Sequence, residues 1–504
     1  MVKKNIYMLR VFLIMSYVLV ISVITFLISS LFTYLNTGAD RSKILHTAVK
    51  KEVQYLPKLT WVNNGNEGRR MDEQLLKSIE NDYLDAWYVK NVAFKTNDKT
   101  GIEDYYTKNA RKNIYSNLNE NKKENITINT TTLKHNPDVL FFSEDGQLVV
   151  LEDKNVLEYK KIFKNDSLVF ETTEQNTYKV ILLLEDGFWR IRHLVKQRSE
   201  ILEPKIIVKP VDFKMKGINY YPKDTPWDMY GDLFDIKTIN KDFKIIKKAD
   251  LNTIRIFIPY DDFGRATVKQ NKLNKLKLIL DAADKNKLKV VITLFDFYGN
   301  YDVLDWTLNQ RHIETIVNTF KNHDALLAWD LKNEPNLDFE SRGKETVISW
   351  LEQMLFFVKS IDKKHPITIG WSNIESATIL HKELDFISFH YYENKANFEQ
   401  AYQNLKLKIP NKELVLGEFG LSSYSGFWKP QLNAQEIQAT YHKEMQKVLN
   451  KNNISFLSWT LYDFEEIPME VVGKLPWKVN LQKEFGFIDS KGNKKPSFKY
   501  ISKQ

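Results

Sequence analysis

The feature that most constrains the fold is an alternation of strand-like and helical segments that begins near residue 211 and continues to the end of the chain. Helical segments such as KLNKLKLILDAADKNK separate eight apolar runs. The runs are FKMKGINYY, TIRIFI, LKVVITLFD, LLAWDLK, PITIGW, DFISFHYY, ELVLGEFG and SFLSWTLYD. Eight such units in about 290 residues match the size of a (β/α)₈ barrel. The sequence therefore predicts an α/β barrel domain over 211–504.

The N-terminus carries a long apolar run, 11–35, inside a stretch without charged residues, 11–39. About 20 helical residues cross a bilayer. A cleaved secretory signal is the competing interpretation, but its apolar region is usually shorter, and no convincing small-x-small cleavage site precedes Asp40. We therefore predict a cytoplasmic N-terminus over 1–10 and an uncleaved transmembrane anchor over 11–35. Basic residues flank the run on both sides, so charge alone does not fix its orientation.

The region between the anchor and the barrel has a mixed pattern. Apolar residues at helical spacing within 69–94 and a second helical stretch near 101–118 precede short alternating runs joined by Gly-containing turns. The order predicts a small α+β domain over 52–200, with a linker over 201–210. Helices followed by a curved sheet resemble the cone-shaped fold of the nuclear-transport-factor-2-like (NTF2-like) superfamily. Five aromatic residues could line a pocket in such a cone or form its core: Tyr83, Trp87, Tyr105, Tyr106 and Trp189.

Composition excludes several functional classes. The 504 residues include no Cys, which rules out disulfide scaffolds, thiolate metal sites and a cysteine nucleophile. The net charge of +9 is spread along the chain without a dense basic tract, so nucleic acid is not an expected partner. The sequence contains no HExxH, Walker or Gly-x-Gly-x-x-Gly motif, and its nine His are scattered. We predict neither a metal nor a cofactor.

Two carboxylates stand where predicted barrel strands end. Strand four closes with Asn333-Glu334-Pro335, and strand seven closes with Glu418. Reactive residues of barrels lie at the carboxyl ends of the strands, so both side chains are expected to face one cavity. Such a pair suits glycosidic cleavage, because one group protonates the leaving oxygen while the other attacks or stabilises the sugar carbon.

With these motifs the region from about 211 to 500 resembles the retaining glycoside hydrolases of clan A, most closely the family 5 type of cellulases and β-mannanases. The resemblance implies that Glu334 is the general acid/base and Glu418 the nucleophile. It implies that Asn333 binds the sugar 2-hydroxyl.

Further positions match the same pattern. Arg255 in NTIRIFI matches the arginine that holds the nucleophile ionised, and a buried arginine in a barrel requires an acidic partner. His390 and Tyr392 in SFHYYE fit the His-x-Tyr of strand six. Trp459 in FLSWTLYDF fits the strand-eight platform for a sugar ring. For His390 and Trp459, a purely structural place in the core is the alternative.

Strand three departs from the family pattern. Many cellulases carry a histidine near its end, whereas the segment 294–299 of this chain contains Asp296 and no histidine, so the glucan interpretation loses weight. A mannose-type or mixed-linkage substrate is at least as well supported as β-1,4-glucan. Aromatic and acidic residues near strand ends favour a carbohydrate cleft, and among them we predict that Asp296, Trp306 and Trp371 bind substrate. The remaining members of this set are Tyr221, Trp227, Trp428, Asp463 and Trp477.

Together these features predict a single-pass cell-membrane protein whose extracytoplasmic barrel is a retaining β-glycoside hydrolase. The expected partners are a β-linked polysaccharide or oligosaccharide and the membrane, with a protein partner for the middle domain as a further interpretation. Two alternatives stay open. One is a transglycosylase that remodels an exported polysaccharide, and the other is a non-catalytic carbohydrate-binding scaffold.

Overall fold

A computed structural model describes residues 2–35, 55–62, 67–202, 206–426, 433–473 and 475–502. The first element, helix α1 (Val2–Leu35), contains an exposed apolar segment, Phe12–Leu31, that is long enough to cross a membrane. A signal sequence has the same properties, so the helix itself does not decide between the two interpretations. Trp428 and parts of the predicted linker lie outside the described residues.

The region 55–202 combines three helices with a seven-stranded, mostly antiparallel sheet. The helices are α2 (Glu73–Thr96), α3 (Ile102–Tyr105) and α4 (Lys108–Lys123). The strands are β1 (Lys58–Leu59), β2 (Glu67–Gly68), β3 (Ile126–His135), β4 (Pro137–Phe142), β5 (Leu148–Lys164), β6 (Ser167–Glu185) and β7 (Phe188–Ile201). The predicted α+β arrangement is confirmed. The likeness to the NTF2-like cone and the proposed domain boundaries stay predictions.

Local chemistry explains these elements. The Asp72 carboxylate caps α2 by accepting the backbone N–H of Leu75 at 2.7 Å. The helix buries one face at helical spacing, including Ile79, Tyr83 and Trp87. These aromatic residues therefore form core, together with Tyr106 and Trp189, whereas Tyr105 is half-buried.

One difference from the sequence concerns strand length. The runs QLVVLEDK and NVLEYKKIF, which suggest two strands, form the single strand β5. Its pairing with β6 shifts register between Asp153 and Val156, and Asn155 adopts a left-handed conformation with φ of 54°. An inserted bulge of this kind interrupts the alternation without ending the strand.

The region that follows is a closed barrel of eight parallel strands, which confirms the predicted fold. Its strands are β8 (Lys216–Asn219), β9 (Thr253–Pro259), β10 (Lys289–Asp296), β11 (Leu326–Asn333), β12 (Ile367–Trp371), β13 (Ile387–His390), β14 (Leu414–Glu418) and β15 (Ser455–Ser458). Each strand pairs with the next, and β15 pairs with β8. The strands are buried on both faces, which is why their sequences are continuous apolar runs.

Helices surround the barrel. They are α5 (Ile236–Lys248), α6 (Gln270–Lys285), α7 (Trp306–Phe320), α8 (Phe339–Arg342), α9 (Lys344–Ile361), α10 (Lys395–Lys408), α11 (Ala434–Lys451), α12 (Met469–Val472) and α13 (Pro476–Lys483). Short 3₁₀ helices span Val303–Asp305, Pro335–Asp338, Ser376–Thr378 and Pro496–Tyr500. The connection from β12 to β13 contains only a 3₁₀ turn, so the eight-fold alternation is incomplete there.

The middle region packs directly on the barrel. The ring of Tyr159 lies 4.3 Å from that of Trp306, measured between centroids. Nearby, Lys161 Nζ donates to Ser349 Oγ at 2.6 Å. An ion pair joins Lys95 on α2 to Asp302, in the loop that follows β10. The middle region thus contacts the same loop that begins at the predicted strand-three site.

Candidate active site

A cavity of about 600 Å³ opens at the carboxyl ends of the barrel strands. Residues from the ends of β9, β10, β11, β14 and β15 and from the loops that follow them line it. The lining residues that the sequence predicted are Asp296, Asn333, Glu334, Tyr392, Glu418, Trp459, Tyr221 and Trp227. The parallel arrangement of the strands brings these residues together, because it places the ends of all eight strands at one edge of the barrel.

Arg255 lies at the centre of the charged cluster beneath this cavity. Its Nη1 donates to Glu418 Oε1 at 2.7 Å, and its Nε donates to Asp330 Oδ2 at 2.9 Å. Burial disfavours the charge of Arg255, but the carboxylates of Asp330 and Glu418 outweigh it and raise its pKa above the ordinary value. The predicted acidic partner of Arg255 is therefore present, and a second one accompanies it.

The same guanidinium orients the predicted sugar-binding amide. Arg255 Nη2 donates to Asn333 Oδ1 at 2.9 Å. Because the oxygen of the amide is engaged on this side, the NH₂ group of Asn333 is the end left to meet a ligand in the cavity.

Both glutamates lie next to the same ring nitrogen of His390. His390 Nδ1 is 2.8 Å from Glu334 Oε1 and 3.6 Å from Glu418 Oε2. One carboxylate oxygen from each glutamate and a ring nitrogen of His390 all lie within 4.8 Å of one another. These oxygens lie closer together than the about 6.5 to 9.5 Å that separates the carboxyl groups of an inverting pair.

Tyr392 completes the contacts of Glu418. Its hydroxyl donates to Glu418 Oε2 at 3.1 Å. Burial of this hydroxyl in the site and the charges of Glu418 and Glu334 raise the pKa of Tyr392 well above its ordinary value. The phenol therefore remains a hydrogen-bond donor across the working pH range.

Glu334 occupies an uncommon backbone conformation, with φ of 47° and ψ of 48°. Its N–H donates to Gly370 O at 2.7 Å, so pairing with β12 continues past the end of β11. Pro335 then begins a 3₁₀ turn. Left-handed geometry is costly for a residue with a Cβ, and functional sites often retain it because the surrounding contacts impose it.

Aromatic rings form one side of the cavity. Tyr221 stacks on Phe257 with centroids 5.2 Å apart, and both contact Trp459 at right angles. The Tyr221 hydroxyl donates to Asp296 Oδ2 at 3.3 Å. Burial and the Asp296 carboxylate raise the pKa of Tyr221 well above its ordinary value. Asp296 therefore lies at the cavity wall, as the strand-three pattern predicted.

Two predicted substrate contacts do not reach the cavity. Trp306 is fully buried, donates its indole N–H to Tyr301 O at 3.1 Å and packs on Tyr159 of the middle region. Trp371 is also fully buried, and its ring lies beside Phe339. Both indoles serve packing, which corrects the prediction that they bind substrate. Asp463 is paired with Lys495, and neither Asp463 nor Trp477 lines the cavity.

Several contributors were not predicted from the sequence. Asp330 and Asn219 bind Arg255, and Phe257 lines the cavity. Asp330 could have been predicted, because it lies on the strand that ends just before Glu334 and a buried arginine readily takes two acidic partners. No comparable signal marks Phe257, since aromatic residues are common in buried strands.

Glu334, His390 and Glu418 also form a set that could hold a metal ion. The Arg255 guanidinium donates to Glu418 at 2.7 Å and places a fixed positive charge next to any such ion. Electrostatic repulsion at that distance disfavours a cation in this set.

Comparisons with known proteins agree with this geometry. Residues 211–465, half of the chain, match the family described as Cellulase (glycosyl hydrolase family 5). The chain therefore belongs to glycosyl hydrolase family 5.

The curated relatives include a mannan endo-1,4-β-mannosidase 5 from Solanum lycopersicum, which is 29% identical over 171 residues, or 25% of this chain and 40% of the relative. A β-glucuronidase from Chlorocebus aethiops is 22% identical over 299 residues, or 54% of this chain and 42% of the relative. The chain spans less than half the length of these relatives. Among solved structures, the exo-β-1,4-mannosidase Op5Man5 from Opitutaceae bacterium strain TAV5 is 18% identical with a TM-score of 0.48, and the match covers 57% of this chain and 58% of that chain.

Proposed function

We propose that the protein is a retaining β-glycosidase in which Glu334 is the general acid/base and Glu418 is the nucleophile. The observation that carries the proposal is the spacing of the two carboxylates, whose nearest described atoms lie within 4.8 Å, with Arg255 bound to one of them. A guanidinium at 2.7 Å stabilises the carboxylate form of Glu418, which is the form that attacks.

The residues support a double displacement. Glu334 donates its proton to the leaving glycosidic oxygen while Glu418 forms a bond to the anomeric carbon. Glu334 then removes a proton from a water molecule, whose oxygen bonds to the anomeric carbon. The bond between that carbon and Glu418 breaks, so Glu334 is protonated and Glu418 is a carboxylate again. The two inversions give a product of unchanged anomeric configuration.

Neighbouring groups have supporting roles in this proposal. Tyr392 donates to Glu418 Oε2, and His390 lies against Glu334, so both carboxyl groups are held in place. The Asn333 amide meets the 2-hydroxyl of the sugar, and Trp459 offers a face for its ring. A sugar hydroxyl can take the place of water in the second step, so transglycosylation is the second candidate reaction. The intact pair of glutamates argues against a purely binding scaffold.

We propose a membrane location on the basis of the N-terminal helix. Exposed apolar side chains over Phe12–Leu31 fit a membrane anchor, with the middle region and the barrel outside the cytoplasmic membrane, where polysaccharides are accessible. Fractionation tests this placement. Recovery of a soluble mature chain that begins near residue 40 would contradict it and would indicate a cleaved signal.

Glu334→Gln and Glu418→Gln test the mechanism on a panel of aryl β-glycosides, mannan, β-glucans and xylan. Loss of a general acid/base costs about 10²–10⁴-fold in rate, and loss of the nucleophile prevents the covalent intermediate. The product anomer, followed by NMR, should match that of the substrate. Inversion would contradict the retaining mechanism. Binding without turnover, unchanged in both variants, would favour the scaffold.

A further inference from the structure

One wall of the active-site cavity is aliphatic. The strand-seven loop, the first turn of α11, and α12 and α13 contribute its side chains. We call these residues the aliphatic wall: Leu421, Ile437, Val471, Val472 and Leu481. Hydrogen bonds join the segments, since Ser422 Oγ donates to Leu481 O at 2.5 Å and Gln438 Nε2 donates to Leu421 O at 2.9 Å.

A sugar ring is a poor occupant for this wall. A pyranose carries hydroxyl groups around its ring, and each one loses hydrogen bonds to water unless the protein offers a partner. Aliphatic side chains offer neither a partner nor a flat aromatic face. Three polar side chains, Ser422, Tyr424 and Gln482, also line the cavity, and the Ser422 hydroxyl is already donated to Leu481 O.

The apolar surface continues from the cavity to the outside. Ile437 is 44% exposed and Leu481 is 48% exposed, although both line the cavity. Met469 on α12 and Trp477 on α13 are exposed apolar residues of the same two helices. Exposed apolar residues at the mouth of a cavity are typical of a binding site.

The wall is continuous with the catalytic groups. Phe485, which also lines the cavity, lies 5.9 Å from the ring of Tyr392, whose hydroxyl binds Glu418. The wall and the carboxylates thus belong to one cavity. An apolar group attached to the reacting sugar fits both surfaces.

We propose that the substrate is a β-glycoside with a hydrophobic aglycone, an alkyl, acyl-bearing or isoprenoid chain that lies along the aliphatic wall. This inference rests on the proposed glycosidase function. Glu334 gives its proton to the oxygen of the aglycone, which leaves as a lipid alcohol, while Glu418 bonds to the anomeric carbon. Water then releases the sugar and returns the proton to Glu334. The apolar helix α1 fits this substrate, because amphiphilic glycosides concentrate at membranes.

Alkyl β-D-mannopyranosides and β-D-glucopyranosides from methyl to octyl test the proposal. The full chain is assayed in lipid nanodiscs, with each glycoside below its critical micelle concentration. We expect kcat/KM to rise about two- to fourfold for each methylene that the wall buries. Leu481→Gln and Val472→Thr should flatten this rise. Leu407→Gln, which changes a residue that is 79% exposed on α10, should keep it.

The outcomes separate this inference from the proposed function. A kcat/KM that does not depend on chain length, in an enzyme that still hydrolyses aryl β-glycosides, would overturn the hydrophobic aglycone alone. Absence of turnover on every glycoside would overturn the glycosidase function itself. A third result would assign the wall to bilayer docking and also overturn the proposal: Leu481→Gln slows turnover of an octadecyl glycoside embedded in vesicles but leaves the short-chain series unchanged.

Discussion

The middle region and the barrel each contain a cluster of buried ionisable side chains. The two clusters differ in whether their carboxylates reach a cavity. In the middle region the Asp153 carboxylate accepts from Tyr83 OH at 2.8 Å and from the Asn136 N–H at 2.8 Å, and it lies 2.6 Å from His135 Nδ1. The other ring nitrogen of His135 meets Thr132 Oγ1 at 2.7 Å. Both carboxylate oxygens of Asp153 and both ring nitrogens of His135 therefore have partners within the fold.

In the barrel, Arg255 binds both a buried carboxylate, Asp330, and a carboxylate that lines the cavity, Glu418. Asp330 is enclosed by Arg255, by Thr293 Oγ1 at 2.8 Å and by the Gly370 N–H at 2.9 Å. Above it, Glu334 and Glu418 reach the cavity. Burial and pairing of charge are therefore common to both clusters, and contact with a cavity is what distinguishes a candidate active site from a structural network. The predictions below test that distinction.

Removal of Arg255 should have the largest effect. Arg255→Met leaves Asp330 and Glu418 as buried carboxylates without a countercharge, which typically costs about 3–5 kcal/mol of stability. It also releases Glu418, so kcat/KM should fall by at least about a hundredfold. Thermal unfolding and turnover of an aryl β-glycoside, both in nanodiscs, measure the two effects.

Arg255→Lys is the matched control. It keeps the positive charge but loses the planar fork that reaches four partners, so stability should recover more than activity. Full activity in Arg255→Lys would show that only the charge of Arg255 matters and that its geometry does not position Glu418.

Asp242 on α5 is a buried carboxyl whose hydrogen-bond partners are tyrosine hydroxyls, whereas Asp330 and Glu418 pair with a cation. The dependence of stability on pH tests how this difference affects its pKa. It accepts from Tyr220 OH at 2.7 Å and from Tyr462 OH at 2.6 Å, and burial raises its pKa to about 6. Because the folded pKa lies above the unfolded value, the contribution of this group is fully present below about pH 4. It is lost as the pH rises through 6.

The expected loss is about 2–3 kcal/mol, since one pKa unit corresponds to about 1.4 kcal/mol. The difference in stability between wild type and Asp242→Asn, measured from pH 4 to pH 7, isolates this term from other titrating groups. A difference that is constant over that range would contradict the raised pKa.

In the middle region, Asp153→Asn should reduce stability by about 1–3 kcal/mol, because it breaks a buried hydrogen-bond network. The value of kcat/KM should stay within about twofold of wild type if the network is purely structural. Asp138→Asn is the control, since it removes a carboxylate whose Lys154 partner is exposed and should cost less than about 1 kcal/mol. A large loss of activity in a folded Asp153→Asn protein would connect the middle region to catalysis.

The sequence predicted the parts of the fold that depend on local patterns. All eight barrel strands were recognisable because parallel strands buried on both faces are continuous apolar runs. Glu334, Glu418 and Arg255 were identifiable because charged residues are rare at such positions. The pattern could not show which way an aromatic residue at a strand end faces. Trp306 turns away from the cavity because Tyr159, far earlier in the chain, packs against it.

The aliphatic wall could not be predicted from the sequence for a related reason. Its residues lie on four separate segments, and neither Val471 nor Leu481 belongs to a regular apolar pattern that points to the cavity. Only the folded chain brings them beside Leu421. The register shift at Asn155 was also hidden, because a bulge interrupts alternation in the same way as a turn does.

The smallest expected effect concerns Asp296, the residue that stands where many cellulases carry histidine. Asp296→Ala should lower kcat/KM for the preferred substrate about tenfold, because a lost hydrogen bond to a sugar hydroxyl costs on the order of 1.4 kcal/mol, and it should leave the unfolding temperature nearly unchanged. Tyr221→Phe removes the hydroxyl that donates to Asp296 but keeps the stacked ring, so it separates a direct contact with the sugar from an effect transmitted through Tyr221. If Asp296 contacts the sugar itself, Tyr221→Phe should reduce kcat/KM less than Asp296→Ala does. Side-by-side assays on mannan, β-glucans and xylan give the measurement. A clear preference for cellulose, together with full activity in Asp296→Ala, would show that strand three does not distinguish this barrel from an ordinary cellulase.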